Sequence, residues 1–417
     1  MAFVRYGVNL ENDNLFYSIL LPTKNRSQLV DVAIRSILQQ DFTDLEIIIC
    51  DNDDTDATGQ VVGKYEDSRV KYIRTGGLSM IENWTQALGH ASGEYVTVLE
   101  DKMLMYPNSL SKIKSRIEQS PSGVVVWQTD ILEDGTQPQL LKQVAGSGET
   151  IVESDHVFGL LSENISEYWT ALPRGLSSIV PRSLILEIEN RTGKPFYEPV
   201  SLDLVSALKV LNSIDSYLGV KEAYSLFFSR NASTGRMFKK GNRAALSYYS
   251  GSEKSDIQCV YVPVNNPFII ANSVINDYRS VTATMGGKIE THRIRKEVYF
   301  QLMLKDLYRS LTRQKFSHWT LKNVFELIGS NSTPVSNLLL MSKILLSKAR
   351  DKVLSKSTDT GYPVDREALL VKKTLITTLT NDSSASVEEF LSGARDMGTI
   401  KCFDKSLVVK NAGHGVF

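Results

Sequence analysis

Tyr17-Ser-Ile-Leu-Leu-Pro-Thr-Lys-Asn-Arg26 is the stretch that decides how the first part of this 417-residue chain folds. Its opening residues, Tyr17–Leu21, are nearly all apolar, which predicts a strand that is buried on both faces. The next residues, Ser27–Gln40, repeat apolar side chains at the three- and four-residue spacing of a helix. Glu46–Cys50 is a second apolar strand. Strands of this kind that alternate with helices predict a mostly parallel sheet with helices on both faces.

The same alternation of strands and helices continues as far as Gln128. Further strands are predicted at Val70–Arg74, Tyr95–Leu99 and Val124–Gln128, and further helices at Asp56–Tyr65, Met80–His90 and Ser109–Gln119. The polar, Gly-rich stretch Asp130–Gly148 predicts a loop or an excursion from the sheet. Ligands on parallel sheets bind beyond the carboxyl ends of the strands, so we expect the site in the loops after Leu21, Cys50 and Leu99.

The composition narrows the class of protein. Lys+Arg and Asp+Glu both total 47, so the net charge gives no general attraction to nucleic acid or membranes. The three cysteines, Cys50, Cys259 and Cys402, form no CxxC pair, which argues against a disulfide framework or a zinc cluster and favours a reducing compartment. Met1–Asn14 has no signal-peptide pattern, and no apolar run has the length of a membrane span. We therefore expect a cytoplasmic protein, either soluble or peripheral at the inner membrane face.

The loop after the first strand excludes two common nucleotide sites. A dinucleotide-binding Rossmann site and a P-loop both need glycines, so that the backbone can approach phosphate groups closely. Here the loop is Pro22-Thr-Lys-Asn-Arg26, which contains no glycine and offers polar and cationic side chains instead. A nicotinamide-dependent oxidoreductase is therefore excluded as an interpretation.

The loop after the second strand is rich in hydrogen-bond acceptors. It reads Asp51-Asn-Asp-Asp54, and acceptors at a strand end suit the donor groups of a pyrimidine base or a pair of ribose hydroxyls. The alternative is that these acids cap the next helix. We favour capping for Asp54 and Asp56, and ligand binding for Asp51, which directly ends the strand.

Several motifs in this half of the chain together resemble glycosyltransferase family 2. They are Ser18–Arg26, Ala33–Gln40, Glu46–Asp53, Asn83–Ala87, Ala91–Tyr95 and, at the place of the acidic motif, Leu99–Pro107. The resemblance is dense over the first third of the chain and weaker to about Arg236. It implies a GT-A-like fold and a nucleotide-diphosphate sugar as donor, with a UDP-sugar as the first expectation. It also implies a single displacement that inverts the anomeric centre.

The resemblance further implies a donor pocket. The residues at the matching positions are Pro22, Thr23, Arg26, Asp51, Asp53, Asn83, Glu100, Asp101 and Lys102. Pro22, Thr23 and Arg26 would line the nucleotide pocket, and Asp51 would hold the base with Asp53 nearby. Glu100–Lys102 would face the diphosphate and the sugar.

The acidic motif departs from the family pattern. The family places two aspartates there, and the second holds a divalent cation that bridges the diphosphate. In this chain Lys102 occupies the second position, while Glu100 and Asp101 keep carboxylates before it. A manganese or magnesium ion would have only Glu100 or Asp101 as its ligand from this motif. One interpretation is that the ammonium group of Lys102 takes the place of the metal. The alternative is that Lys102 pairs with Glu100 or Asp101 and that the metal binds in another way.

A downstream segment supplies candidates for the acceptor side. Gly175–Arg182 and Phe196–Ala207 resemble a stretch in which an acidic residue at the start of a helix reaches the acceptor, and the resemblance assigns that place to Asp203 as catalytic base. Glu198, five residues earlier, is the rival base. Asp is also a preferred cap residue, so a solvent-facing helix cap is the alternative for Asp203. Ser229 begins a polar loop that would close over the acceptor side of the site.

The pattern divides the chain into two regions. Residues 1–240 are predicted to form the catalytic domain, with a nucleotide-sugar half at about 15–130 and an acceptor half at about 150–240, and residues 241–417 a mainly helical extension. Basic and apolar residues interleave in Arg293–Lys322 and Leu338–Lys356. We favour helices that pack on the catalytic domain, with an anionic membrane surface as the alternative partner. The sequence contains no recognised nucleic-acid-binding module, so no nucleic-acid partner is expected.

These features predict a glycosyltransferase that passes a sugar to a saccharide or glycolipid acceptor in surface polysaccharide or glycolipid assembly. The alternative is a catalytically silent domain of the same fold that binds a nucleotide sugar or serves as a scaffold. Lys102 is the main argument for the alternative, because the loss of a metal ligand often disables such sites.

Overall fold

The computed structural model describes residues 15–133, 140–143, 147–164, 171–229, 232, 258–312, 318–330 and 399–402 of the chain. Its strands are β1 (Tyr17–Thr23), β2 (Leu45–Asp51), β3 (Val70–Arg74), β4 (Tyr95–Val98), β5 (Met103–Met105), β6 (Val125–Glu133), β7 (Leu140–Gln143), β8 (Glu149–Glu153), β9 (Ser178–Pro181), β10 (Ser216–Phe227) and β11 (Thr399–Cys402). Its helices are α1 (Ser27–Leu38), α2 (Ala57–Val62), α3 (Met80–Gly89), α4 (Ser109–Ile117), α5 (Ser154–Asn164), α6 (Arg182–Thr192), α7 (Leu202–Ser213), α8 (Ile270–Met285), α9 (Lys288–Thr291), α10 (Lys296–Thr312) and α11 (Leu321–Gly329).

Four parallel strands form the half of the sheet that carries the predicted donor site. They lie side by side in the order β3-β2-β1-β4. Thr23 at the end of β1 is in register with Asp51 at the end of β2, and Leu20 is in register with Val98 of β4. The carboxyl ends of these strands therefore meet at one edge of the sheet, and the loops that follow them are neighbours.

Antiparallel strands extend this sheet. β9 lies between β4 and β6 and pairs antiparallel with both, and β6 lies parallel to the long strand β10. β10 also pairs antiparallel with β5 and β8. The predicted α/β fold class is confirmed, and the parallel arrangement belongs mainly to the first four strands.

The sequence predicts a loop or an excursion at Asp130–Gly148. The described residues of this stretch include strands, so the loop alternative is wrong for them. β6 continues to Glu133, and its end pairs antiparallel with β7, so that Leu132 lies opposite Leu141. These two leucines are buried. A short strand pair needs few apolar side chains, so its period-2 signal is too brief to stand out among polar neighbours.

Apolar side chains cover both faces of the sheet. On one face α1 and α4 pack through residues such as Ile34 and Ile113, which are fully buried. On the other face α3, α5 and α7 contribute residues such as Trp84, Phe158 and Leu208. Burying one such side chain completely stabilises a fold by about 1.5–3 kcal/mol. The two layers hold the sheet in place beneath the loops at its carboxyl edge.

Gly93 allows the loop before β4 to lie against β1. A Cβ atom at this position would lie 2.6 Å from the backbone nitrogen of Ser18, which is closer than real contacts allow. Glu46 of β2 reaches the same loop, because its carboxylate accepts hydrogen bonds from the backbone N–H and the hydroxyl of Ser92 at 2.7 and 2.9 Å. These contacts fix β1, β2 and the start of β4 relative to one another.

The helices after residue 258 pack against α7 and share its core. Tyr278 of α8 and Tyr299 and Met303 of α10 are buried in the same cluster as Leu208. The helical character predicted for the C-terminal region is confirmed for α8–α11, and the apolar residues of α10 serve in packing. The predicted boundary between residues 240 and 241 and the predicted basic helix Leu338–Lys356 lie outside the described residues. None of the described helices is both long and apolar enough to cross a membrane.

Candidate active site

The loop after β1 is tied to the acidic motif through Asp101. The carboxylate of Asp101 is buried and accepts a hydrogen bond from the Thr23 hydroxyl at 2.8 Å. The guanidinium group of Arg26 lies 3.2 Å from the other carboxylate oxygen. This ion pair places the end of β1 next to the loop after β4. Because both of its oxygens are engaged, Asp101 helps to shape the pocket from within the protein.

Asp51 ends β2 and lies beneath two side chains of β3. Its carboxylate accepts hydrogen bonds from the Tyr72 hydroxyl at 2.6 Å, from the Arg74 guanidinium at 2.8 Å and from the backbone N–H of Asp53 at 2.8 Å. The Asp51 side chain is fully buried, whereas Tyr72 and Arg74 are exposed. At the end of β2, Tyr72 and Arg74 therefore present their polar groups to solvent, and Asp51 holds both side chains in place.

Asp53 and Asn83 are satisfied inside the protein. Asp53 accepts a hydrogen bond from the Thr58 hydroxyl at 2.6 Å, and burial raises the pKa of this carboxyl group. The side-chain amide of Asn83 donates to the carbonyl oxygen of Cys50 at 3.1 Å and accepts from the Thr75 hydroxyl at 2.8 Å. Both side chains therefore support the loops at this edge of the sheet.

The capping role predicted for Asp54 and Asp56 is wrong. Asp56 occupies the N-cap position of α2, but its side chain makes no capping hydrogen bond. The carboxylate of Asp54 accepts a hydrogen bond from the Asn25 amide at 2.6 Å and lies 3.4 Å from the Lys24 ammonium group. These contacts join the loops after β1 and β2, because both loops leave the same edge of the sheet.

We expect Asp51→Ala to weaken binding of a nucleotide donor about tenfold or more, because it removes a buried acceptor and releases Tyr72 and Arg74. Titration calorimetry with the donor measures this change. Asp54→Ala is the matched control, since Asp54 is exposed and contacts only the neighbouring loop. Unchanged donor affinity in Asp51→Ala would contradict the predicted role.

The acidic motif forms an internal ion pair. Lys102 is buried, and its ammonium group lies 2.7 Å from Oε1 of Glu100 and 5.6 Å from the centre of the Phe227 ring. Glu100 remains partly exposed. The second position of the motif thus holds a positive charge between a carboxylate and an aromatic ring, both of which stabilise it.

These contacts leave few carboxylate ligands for a divalent metal ion. Glu100 is paired with Lys102, and Asp101 with Arg26. Within the described parts of the chain, no three His, Cys, Asp or Glu side chains are grouped so that they could hold a metal ion. Mg²⁺ and Mn²⁺ prefer carboxylate oxygens that neighbouring cations do not already neutralise. In this arrangement the acidic motif does not fit a metal ion.

α7 brings Asp203 to the same edge of the sheet. Its carboxylate lies 3.0 Å from the Arg174 guanidinium and accepts a hydrogen bond from the backbone N–H of Leu204 at 3.0 Å. Burial raises the pKa of Asp203, Arg174 opposes this shift, and the charge of Glu100 adds to it. The N-cap residue of α7 is Ser201 and not Asp203, so the capping alternative does not describe this aspartate. Its side chain is 21% exposed, which leaves it within reach of a ligand.

Glu198 is held by two lysines. Its carboxylate contacts the ammonium group of Lys209, which is fully buried, and lies 3.4 Å from that of Lys194. Burial lowers the pKa of Lys209, and the charge of Glu198 opposes this shift. These two ion pairs engage the Glu198 carboxylate within the protein. The geometry therefore favours Asp203 over Glu198 as the group that could accept a proton.

Pro22 and Ser229 are both buried. Pro22 is buried in β1, in register with Cys50 of β2. Ser229 is buried, and its backbone N–H donates to the carbonyl oxygen of Lys102 at 3.4 Å. The polar loop predicted after Ser229 lies outside the described residues, apart from Ala232.

Asp277 of α8 fixes the turn that leads into α7. Its carboxylate is fully buried and accepts hydrogen bonds from the backbone N–H groups of Val200 and Ser201, each at 2.8 Å. These residues directly precede the helix that carries Asp203. A helix of the C-terminal region therefore provides the cap for α7, and with it the position of Asp203.

We expect the Asp277 carboxylate to make the stability of the protein fall as the pH rises from about 4 to about 6. Burial raises the pKa of Asp277 to about 6, so the folded protein binds a proton more tightly than the unfolded chain does. The free energy of unfolding should lose on the order of 2 kcal/mol from this group across that range. Urea unfolding at pH 4.5 and at pH 7 measures the change. The unfolding free energy of Asp277→Asn should not show this loss between the two pH values. An identical pH dependence in the wild type and in Asp277→Asn would contradict the prediction.

Sequence reasoning missed Arg174 and Asp277. Arg174 directly precedes Gly175, whose carbonyl oxygen accepts a hydrogen bond from the backbone N–H of Val98 at 2.9 Å. Gly175 has a φ of +79°, and its pairing with Val98 delivers Arg174 to the end of β4. The available signals were a basic residue next to a glycine of a matched motif, and an acid within the apolar pattern of α8.

Comparison with known proteins finds similarity to one family over part of the chain. Residues 18–167 match the family model described as Glycosyl transferase family 2. The chain is 37% identical over 106 residues to the GalNAc(5)-diNAcBac-PP-undecaprenol beta-1,3-glucosyltransferase of Campylobacter jejuni, and the match covers 24% of this chain and 34% of that protein. It is 34% identical over 128 residues to a putative colanic acid biosynthesis glycosyl transferase of Escherichia coli, covering 30% of this chain and 45% of that protein. The match thus spans less than half the length of these relatives.

The solved structures that align with this chain have lower sequence identity to it than these relatives do. The crystal structure of TarS from Staphylococcus aureus aligns with a TM-score of 0.44 at 15% identity, covering 77% of this chain and 49% of that chain. A mannosyltransferase from Pyrobaculum calidifontis, in complex with GDP-Man and Mn²⁺, aligns with a TM-score of 0.40 at 13% identity and covers 91% of this chain and 85% of that chain.

Proposed function

We propose that this chain, whose residues 18–167 form a glycosyltransferase family 2 domain, moves a sugar from a nucleotide-diphosphate sugar to an acceptor hydroxyl with inversion. The observation that carries the proposal is the convergence of three separate parts of the chain at one edge of the sheet. The end of β2 brings Asp51, the loop after β4 brings Glu100 and Lys102, and α7 brings Asp203.

Asp203 is the proposed base. An inverting transfer needs a group that takes the proton from the acceptor hydroxyl while the oxygen attacks the anomeric carbon from the side opposite the leaving group. A carboxylate can do this as the new bond forms, and partial burial makes it a stronger base. Its place in the first turn of α7 also favours the ionised form, because the helix dipole is positive there.

Lys102 is the proposed source of positive charge for the leaving group. A departing nucleoside diphosphate gains negative charge, and a fixed cation in a dry site stabilises that charge strongly. The ammonium group of Lys102 is buried at the position where the family pattern has a metal-binding aspartate. Because Glu100 and Asp101 are both neutralised by cations, we propose that the reaction does not depend on a manganese or magnesium ion.

The donor and acceptor classes rest on the relatives. One relative from Escherichia coli, 30% identical over 101 residues, is named a UDP-Glc:alpha-D-GlcNAc-diphosphoundecaprenol beta-1,3-glucosyltransferase, and the match covers 24% of this chain and 39% of that protein. The Campylobacter jejuni relative is likewise named for an undecaprenol-linked saccharide. We propose a UDP-sugar as donor and a saccharide or glycolipid in surface polysaccharide assembly as acceptor.

An anionic membrane surface is the proposed partner of the C-terminal helices. Leu321 and Phe325 of α11 lie one turn apart and are 79% and 70% exposed, next to the exposed Lys322. Apolar side chains beside a cation suit the interface of an anionic bilayer. A protein peripheral to the membrane would meet a lipid-linked acceptor there.

We expect the protein to bind phosphatidylglycerol vesicles at low salt and to lose binding steeply as salt is added. Replacing Leu321 and Phe325 with serine should reduce the bound fraction in vesicle sedimentation. Leu186→Ser is the matched control, since Leu186 is an exposed leucine on α6. No association at low salt would leave packing as the sole role of these helices.

The direct test of donor binding is a thermal-shift panel of nucleotide sugars. A ligand at a hundred times its dissociation constant adds about 2.7 kcal/mol of stability, which raises the Tm of a chain of this length by about 3 °C. We expect one class of nucleotide sugar to do so in the wild type. If none of the UDP-, GDP- or dTDP-sugars changes the Tm, the proposed function is wrong.

One observation favours the catalytically silent alternative. Three candidate carboxylates of the site are paired with cations, namely Asp101 with Arg26, Glu100 with Lys102, and Asp203 with Arg174. A domain of that kind would bind a nucleotide sugar and leave it intact. Binding and turnover must therefore be measured separately.

A further inference from the structure

Arg174 is the cation that contacts the candidate base. Its guanidinium Nη1 lies 3.0 Å from Oδ2 of Asp203, and its side chain is 12% exposed. The backbone next to it is fixed, because Gly175 pairs with Val98 and the hydroxyl of Thr97 also donates to the Gly175 carbonyl oxygen at 3.2 Å. Arg174 is thus held at the end of β4, where the acidic motif begins.

The charged groups around Asp203 act on its carboxylate in opposite directions. Arg174 stabilises the ionised form, whereas the negative charge of Glu100 destabilises it. Tyr197 is also close enough to Asp203 for the charge of this carboxylate to raise the pKa of the tyrosine, although burial is the larger cause. Lys102 is paired with Glu100. Burial has the largest effect on the pKa of Asp203, and the position of Arg174 affects how strong a base Asp203 is.

We propose that Arg174 restrains Asp203 in an ion pair until a nucleotide sugar binds, and that the diphosphate of the donor then draws the guanidinium group away and releases the base. This inference rests on the proposed function. It adds a coupling between the binding of the donor and the release of the base. Arg174 is in this respect a positioning residue for Asp203 and a sensor of the donor.

The chemistry of the diphosphate and of the Asp203 carboxylate supports this change of partner by Arg174. A guanidinium group binds phosphate oxygens through paired hydrogen bonds, and a diphosphate carries more negative charge than a single carboxylate. Glu100 lies near enough to Asp203 to affect its titration, so Arg174 stands where the acidic motif and the base meet. A short movement of a long side chain would change its partner without any movement of the backbone.

The consequence is a site that becomes more basic when the donor is present. While Arg174 is paired with Asp203, it opposes the rise in the pKa of this carboxyl group that burial causes, so the carboxylate is a weaker base than it would be without the ion pair. When the guanidinium leaves, the neighbouring charge of Glu100 strengthens the base at the moment it is needed. The acceptor would therefore be activated after the donor, which predicts ordered binding with the donor first.

The test measures the titration of Asp203 directly by carbon NMR of protein with labelled aspartate carboxyl groups. The signal is assigned by its loss in Asp203→Asn. Arg174→Gln removes the positive charge, and Arg174→Lys keeps it as the matched control. Each protein is titrated alone and then with UDP or GDP, whichever binds in calorimetry. The melting temperature of each variant establishes that it is folded.

We expect the Asp203 titration to move to higher pH in Arg174→Gln and to stay near the wild-type position in Arg174→Lys. The nucleotide should move it upward more in the wild type than in Arg174→Gln, since only the wild type has a guanidinium group to lose. Arg174→Gln should also weaken binding of the nucleotide about tenfold. If the nucleotide shifts the Asp203 titration equally in the wild type and in Arg174→Gln, Arg174 stays paired with Asp203 when the nucleotide binds. If the Asp203 titration of the free protein is unchanged in Arg174→Gln, the proposed restraint of Asp203 by Arg174 is wrong. If neither UDP nor GDP binds, the proposed function and the coupling both fail, while the comparison of the free proteins still tests the restraint.

Discussion

Asp203→Asn is expected to lower turnover by on the order of 10²–10⁴-fold, because it removes the proposed base and keeps the shape of its side chain. Asparagine can still accept the hydrogen bond from the backbone of Leu204, so α7 should keep its first turn. The acceptor hydroxyl would then lose its proton only to water. Donor binding should be retained, since the carboxylate is proposed to contact the acceptor. Steady-state kinetics and donor calorimetry on the same protein separate the two effects.

Glu198→Gln is the control for this prediction. Glu198 is held by Lys209 and Lys194, so its loss should lower the melting temperature and affect turnover far less than Asp203→Asn does. Lys209 is fully buried and would be left with fewer partners, which costs stability and not chemistry. An inactive Glu198→Gln beside an active Asp203→Asn would exchange the two roles.

Lys102→Met is expected to reduce kcat by on the order of 10²–10³-fold, because it removes the proposed charge beside the leaving group and keeps the length of the side chain. Methionine fits the contact with Phe227 and leaves Glu100 without its cation. Glu100 would then repel the diphosphate, so donor affinity should also fall. The wild-type enzyme should keep its activity after treatment with a chelator.

Lys112→Met is the matched control for Lys102→Met. Lys112 forms an exposed ion pair with Glu222 at 2.6 Å, away from the acidic motif, and its replacement should leave kcat unchanged. Activity that a chelator abolishes and manganese restores would refute the proposed role of Lys102. In that case Glu100 would have to leave Lys102 to bind the metal.

The sequence pattern was sufficient to predict the parallel half of the sheet. The strand predicted at Val70–Arg74 has those bounds in the structure, and β1, β2 and β4 differ from their predicted bounds by one or two residues. These strands are apolar and bounded by polar loops, so their local signal is strong. The end of β6 and β7 escaped prediction because polar residues outnumber their buried leucines.

The contacts within the site could not be predicted from spacing along the chain. Arg26 and Asp101 are 75 residues apart, and Val200 and Asp277 are 77 residues apart. Only the folded sheet and the packing of α8 on α7 bring such partners together. The motif also identified Asp51 as a candidate, but its partners Tyr72 and Arg74 lie on another strand and carry no motif of their own. Pairings of this kind depend on tertiary structure, which a single sequence does not encode as a local pattern.

The measurement that tests the central claim most directly is the release of nucleoside diphosphate. The full chain is mixed with the nucleotide sugar that raises its Tm, with undecaprenyl-diphosphate-linked saccharides as acceptors, and the released nucleoside diphosphate is quantified over time. We expect sustained release by the wild type, transfer of the sugar with inverted anomeric configuration, and release at least a hundredfold slower by Asp203→Asn. A wild type that binds the nucleotide sugar as well as Asp203→Asn does, but releases nucleoside diphosphate no faster than that variant, would contradict the account and identify a silent binding domain.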